Sequence, residues 1–304
     1  MSIHARLHSQ ALGALALLLG GLWTAALWAD VPKAAGIASQ NKQATAAGFA
    51  VLEQGGNAFD AAVAVSAALG VVEPESSGLG GGGFFLLHRA SDGKTVFIDA
   101  REAAPLAATR DMYLDAAGNP DRSRSVNGGL AAGIPGLPAG MVLVAERYGK
   151  LPLKQSLAPA IRLARKGFVW SAKNSAMIGF RAEQLSKSPA AAKLFLRSGK
   201  PPAVGDTLRN PDIARVLERL AEQGHQGFYA GATAKSLVKG VRAAGGIWTE
   251  ADLSRYQAVE REPLRFEYRG QQILTAPPPS SGGVALVELF QILSGYPLAD
   301  FDRV

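Results

Sequence analysis

Ser77-Gly78-Leu79-Gly80-Gly81-Gly82-Gly83-Phe84, followed at once by Phe85-Leu86-Leu87-His88, is the stretch whose reading decides the fold. Its glycines at 78, 80 and 83 satisfy G-x-G-x-x-G, the spacing of a loop that cradles a dinucleotide pyrophosphate. That chemistry needs a strand before the glycines and a helix after them, because the phosphate sits on the helix N-terminus. Here the order is reversed. Upstream, Asn57 caps a helix with Asp60 at its third position and AAVAVSAALGVV as its body, stopped by Glu73-Pro74. Downstream, Phe84–His88 and Thr95–Asp99 are short apolar runs rich in β-formers, and Ser91-Asp92-Gly93 between them marks a hairpin. The glycines therefore occupy a helix-to-strand passage, and no dinucleotide site is expected. Four consecutive glycines instead predict backbone packed where no side chain fits, or a place where a ligand approaches closely.

The neighbouring segments fit a sheet covered by helices. Asn41 to Gln54 has helical spacing and ends at Gly55-Gly56. The helix after Asn57 is apolar on nearly every side, as helices buried between layers are. Gly133-Ile-Pro-Gly-Leu-Pro138 precedes a helix over 139–148, and 153–166, 211–223 and 232–244 carry helical spacing too. Glu260 to Ala276 reads as antiparallel strands turning at Arg269-Gly270. Pro277-Pro-Pro-Ser-Ser-Gly-Gly283 is a rigid loop feeding a helix over 284–293. Neither a repeat nor a linker divides the chain.

The 304 residues are 48% hydrophobic and 19% charged, a globular composition long enough for a large core. There is no cysteine, which excludes a cysteine nucleophile, thiolate metal sites and disulfides. Arg6 is the only charged residue among the first 29, and an apolar run from Ala11 to Ala29 ends in small residues. Residues 1–29 are expected to be a removable export signal rather than a membrane anchor, since Gly20-Gly21 and the small residues near the end suit cleavage. Residues 30–304 then form a periplasmic or secreted protein with no membrane contact after signal removal. Net charge is +7, but the basic residues are scattered without aromatic interleaving, so no nucleic-acid partner is expected.

Few residues offer chemistry. Arg101, in Asp99-Ala100-Arg101-Glu102, stands where the second strand leaves the sheet. A guanidinium there suits a two-point grip on a carboxylate, although position alone favours a surface ion pair with Asp99 or Glu102. Ser280 and Ser281 beside Gly282-Gly283 offer hydroxyls to an oxyanion, or simply a helix cap. His88 and His225 are the only histidines beyond the first ten residues. No serine lies in a G-x-S-x-G elbow, and no H-x-x-x-H pair or other ligand spacing suggests a metal or cofactor. The residues alone supply no nucleophile, so no catalytic residue is assigned.

Six motifs, taken in order, give the chain a resemblance. Gln43-Ala-Thr-Ala-Ala-Gly48, Glu53-Gln-Gly-Gly-Asn-Ala-Phe-Asp-Ala61, Gly80-Gly-Gly-Gly-Phe84, Asp99-Ala-Arg-Glu-Ala-Ala-Pro105, Glu146-Arg-Tyr-Gly149 and Pro277-Pro-Pro-Ser-Ser-Gly-Gly283 together resemble the γ-glutamyltransferase (glutathione hydrolase) family, from about Gly36 to the last residue. The resemblance implies an α+β fold of the N-terminal-nucleophile hydrolase type, an αββα sandwich of which this chain carries the large-subunit portion. It implies a precursor that cuts itself into large and small subunits. The threonine freed at the small subunit's N-terminus then attacks γ-glutamyl amides such as glutathione. The acyl group passes on to water, an amino acid or a peptide. It assigns Arg101 to the α-carboxylate of the γ-glutamyl group; Asp99 and Glu102, from their position beside it and not from the resemblance, are expected to orient the guanidinium. The family's Thr-Thr-His processing stretch is expected beyond residue 304, because the chain holds no Thr-Thr pair. On that expectation this portion alone is inert. A related cephalosporin or glutaryl acylase, a poly-γ-glutamate depolymerase, and a non-catalytic periplasmic binder of an acidic ligand are the alternatives.

Overall fold

Helix α1 (Lys42–Glu53) begins where the Asn41 side chain accepts the Gln43 amide, and α2 (Ala58–Val72) begins with a full capping box between Asn57 and Asp60. The computed structural model describes residues 35–298, so the expected export segment lies outside the described residues. From Ser39 to the last described residue the chain is one compact unit. Helix α2 is buried along almost its whole length, as its all-round apolar sequence requires, and packs on α1 through alanines that let the two backbones approach. Its remaining faces are covered by α3 (Leu137–Tyr148) and α4 (Leu153–Lys166). Helix α3 starts two residues before the expected position. Pro138 sits in its first turn, where a missing N–H costs nothing.

The glycine run leads into β1 (Gly83–Arg89), which pairs antiparallel with β2 (Lys94–Ala100) in the register Gly83↔Ala100 to Arg89↔Lys94. Gly93 takes the positive φ that the turn needs. Two short strands, β3 (Phe168–Val169) and β4 (Thr207–Leu208), pair with each other. Helices α5 (Pro211–Gln223) and α6 (Gly231–Ala243) follow, close to their expected ranges. Strand β5 (Val259–Arg261) then joins the free edge of β2, so β2 is central in a three-stranded sheet. The hairpin of β6 (Leu264–Tyr268) and β7 (Gln271–Thr275) turns at Arg269-Gly270, both with positive φ, as a two-residue type I′ loop demands.

Helix α7 (Ser281–Ser294) starts three residues before the expected Val284, because Ser280 caps it. Gly283 in its first turn leaves no room for a side chain against the Ala276 carbonyl. Strand β1 is apolar on both faces. Phe85 and Leu87 enter the core, while Phe84 is 38% and Leu86 46% exposed. A strand of that kind belongs inside a stack of layers.

Candidate functional site

The opening stretch finds its explanation at the end of β2. Gly82 lies against the strand's exit: a Cβ there would stand 2.7 Å from the Ala100 carbonyl oxygen and 2.8 Å from the Glu102 amide nitrogen. The carbonyl of Gly81 accepts the amides of Gly136 and Leu137 at 2.9 and 3.0 Å, which fastens the run to the first turn of α3. Gly136 is a second close approach. An added Cβ would overlap both the Ala100 oxygen and the Tyr256 hydroxyl, although the φ of Gly136, −116°, suits any residue. Ala103 and Ile134 exchange both main-chain hydrogen bonds, at 3.1 and 2.7 Å. Gly82 and Gly136 thus serve for contact between backbones, the first of the two readings the sequence allowed.

Arg101 is the first residue past β2, and it is exposed. Its guanidinium donates to the Pro279 carbonyl at 3.3 Å, so the Pro277–Gly283 loop meets the strand end across 178 residues of sequence. A guanidinium has five N–H donors. Among the described residues Arg101 has no carboxylate partner, which removes the surface ion pair as the reason for its position.

The expected orienting role of Asp99 and Glu102 needs correction. Asp99 accepts the main-chain N–H of Arg101 at 3.1 Å and the Arg261 Nε at 2.9 Å, and it does not touch the Arg101 guanidinium. Its register explains this, since β5 lies beside β2 and puts Arg261 within reach of the Asp99 carboxylate, whereas the Arg101 side chain points to the proline loop. Glu102 turns its carboxylate over the glycine run, beside Gly81 and Gly82.

The main-chain carbonyl of Arg101 accepts the Tyr256 hydroxyl at 2.6 Å. Burial, and after it the charges of Asp99 and Glu102, push the Tyr256 phenol above its usual value, which keeps it a donor. Nothing in the sequence pointed to Tyr256 or Arg261. The other candidates are occupied structurally. Ser280 caps α7 by accepting the Gly282 amide at 3.3 Å. His88 pairs with Thr95 across the hairpin at 2.8 Å. His225 lies 2.8 Å from the Tyr256 carbonyl and stacks on Tyr229 at 4.2 Å. No cluster of three or more potential metal ligands occurs among the described residues.

Segments around Gly82, Gly136, Tyr256 and Pro279, far apart in sequence, therefore converge on one strand end, and their combination can be compared with known proteins. The Gamma-glutamyltranspeptidase family profile matches residues 44–303. The chain belongs to that family. It is 42% identical over 266 residues to the glutathione hydrolase proenzyme of Escherichia coli strain K12, covering 87% of this chain and 46% of that protein. It is 44% identical over 258 residues to the glutathione hydrolase proenzyme of Pseudomonas sp. strain A14, covering 84% and 45%. The crystal structure of Helicobacter pylori gamma-glutamyltranspeptidase superposes with a TM-score of 0.84 at 38% identity, over 88% of this chain and 77% of that one. The chain spans about half the length of the curated relatives it matches. The expected α+β, N-terminal-nucleophile hydrolase fold is borne out by these neighbours.

Proposed function

We propose that the complete protein cleaves γ-glutamyl amides such as glutathione and passes the glutamyl group to water or to the amine of an amino acid or peptide. In this reading an exported precursor, with residues 1–29 as its signal, cuts itself into a large and a small subunit. The threonine freed at the small subunit's N-terminus attacks the amide carbonyl, with its own amine as base. This chain contributes the large-subunit portion and the carboxylate clamp. The two apolar faces of β1 support a second layer, and so do the exposed Leu289 and Ile292 on α7, which the small subunit of the same precursor would cover. No described helix is long and apolar enough to cross a membrane.

The observation that carries the reading is the guanidinium of Arg101, held at a strand end by the Pro279 carbonyl and free of any carboxylate among the described residues. Such a group grips a substrate carboxylate through parallel charge-assisted hydrogen bonds. Its loss costs about 1.5–3 kcal/mol, and exposure puts the effect near the lower end. Arg101→Ala in the complete precursor is therefore expected to keep self-cleavage, seen as two subunits on a denaturing gel. The same variant should raise KM for a γ-glutamyl anilide about tenfold. An unchanged KM removes Arg101 from the site. A processed wild-type protein that binds glutamate without hydrolysing any γ-glutamyl amide would favour the non-catalytic binder instead.

A further inference from the structure

The residue that holds Arg101 in place comes from a distant part of the chain. Tyr256 is buried, with restraints on both its ring and its main chain. His225 stacks on Tyr229, and Tyr229 stacks on Tyr256 at 5.5 Å with the rings 9° from parallel. Tyr229 is itself fixed by donating to the Pro135 carbonyl at 2.8 Å, and His225 Nε2 lies 2.8 Å from the Tyr256 carbonyl. The phenol that reaches the Arg101 carbonyl at 2.6 Å is therefore preset before that bond forms. On the opposite side Asp99, itself braced by Arg261 at 2.9 Å, accepts the Arg101 N–H. Both main-chain polar groups of Arg101, past the last paired residue of β2, thus end on side chains. Gly136 keeps the space open, since any side chain there would displace the Tyr256 hydroxyl from the strand end.

We propose that Tyr256 is a positioning residue for the carboxylate clamp: with Asp99 on the other side, it fixes the main chain of Arg101 and so sets where the guanidinium meets the substrate. The inference rests on the clamp reading above and deepens it. Tyr256 touches neither substrate nor reacting atoms. Its effect is on recognition of the α-carboxylate, and it leaves the bond-breaking step alone.

The experiment uses the complete, self-processed protein and two substrates, a γ-glutamyl anilide and the same anilide with its α-carboxylate replaced by a carboxamide. The readout is the ratio of their kcat/KM values, which a merely structural role would not move, because a loosened fold lowers both alike. Tyr256→Phe removes only the hydroxyl. It is expected to lower the preference for the carboxylate about three- to tenfold, the range for one lost hydrogen bond. The change should come through KM, with kcat and the extent of self-cleavage unchanged. Arg101→Ala is the control and should abolish the preference. If Arg101→Ala leaves the preference intact, the clamp reading fails. If Arg101→Ala abolishes it while Tyr256→Phe leaves it at the wild-type value, the clamp stands and the inference about Tyr256 is overturned. Should Tyr256→Phe not fold, Arg261→Met decides by the same ratio. That side chain is 42% exposed, so its replacement spares the core while unbracing Asp99. A fall of about threefold supports the inference, and an unchanged ratio overturns the paired fixing of the Arg101 main chain by Tyr256 and Asp99 that it states.

Discussion

Gly82→Ala, set against Gly80→Ala in the same run, tests whether the glycines serve close approach or flexibility. A methyl group at Gly82 would stand 2.7 Å from the Ala100 oxygen, 2.8 Å from the Glu102 nitrogen and 2.7 Å from Glu102 Oε2. Comfortable contact begins near about 3.5 Å. The Glu102 carboxylate is exposed and swings aside, but the two main-chain atoms belong to a strand end tied through Ala103 to Ile134. Forcing a methyl into such a site costs about 1–3 kcal/mol. Taking about 2 kcal/mol, and an unfolding entropy of about 2.1 cal/mol/K per residue over a complete protein about twice this chain's length, Tm falls by roughly 2 °C. At Gly80 an added Cβ meets nothing within 4 Å, so only the stiffer unfolded chain counts, worth about 0.4–1 kcal/mol in favour of folding. Gly80→Ala should hold Tm level or raise it slightly. Because the displaced atoms flank Arg101, Gly82→Ala should also raise KM for a γ-glutamyl anilide while Gly80→Ala leaves it alone. Scanning calorimetry and initial rates on the complete protein give both numbers. Equal melting temperatures for the two variants would refute the close-approach reasoning.

Other perturbations separate neighbouring roles. On the proposed clamp, Arg101 reads a carboxylate that γ-glutamyl and glutaryl amides share, and a guanidinium has no acceptor for an amine. Arg101→Ala should therefore weaken competitive inhibition by glutamate and by glutarate by the same factor, about tenfold, and a loss confined to glutamate would contradict the clamp. His88→Ala and His225→Phe should leave kcat within about twofold, since one ring bonds Thr95 and the other packs on Tyr229. A hundredfold fall in either would reveal a base in catalysis. Burial, and after it the hydrogen bond to Glu260, raise the Tyr148 hydroxyl from 10.0 to about 12, and the same hydrogen bond lowers the Glu260 carboxyl from 4.5. The carboxyl's contribution is present above pH 4.5 and is lost as pH falls through its lowered value. The phenol's contribution is present below pH 10 and is lost as pH rises from there towards 12. Tyr148→Phe should flatten Tm against pH at both ends, and parallel profiles for variant and wild type would count against this pairing.

What the sequence made legible was local. The Asn57–Asp60 capping box, the β1–β2 hairpin around Gly93 and the turn at Arg269-Gly270 all rest on residues within a few positions of one another, and each is present as expected. Element starts shifted where two local rules competed, as at Pro138, which reads as a break yet is tolerated in a first turn. The site was legible only in pieces. Arg101, the glycine run and the proline loop each stood out, but the bond from Arg101 to Pro279 depends on how β6, β7 and α7 fold back, which periodicity does not encode. Asp99 illustrates the limit. Position beside Arg101 suggested that the two side chains pair. Two residues apart, they would share a face if β2 continued, but Arg101 lies past the strand's last paired residue and turns to Pro279, so the partner of Asp99 comes from the adjacent strand instead. Tyr256 carried no signal at all, because a tyrosine after a short helix is ordinary until its hydroxyl is seen on a carbonyl 155 residues away. The same physics that hides such contacts makes them useful. A strand end has lost its ladder partners, so its main-chain groups must be satisfied by whatever the rest of the fold brings, and a side chain delivered from a rigid aromatic stack fixes them more firmly than water would. With Arg101 as the proposed clamp, that position couples its aim to the packing of a distant core, and that coupling is why hydroxyl-deleting changes at Tyr256 should act on affinity rather than on turnover.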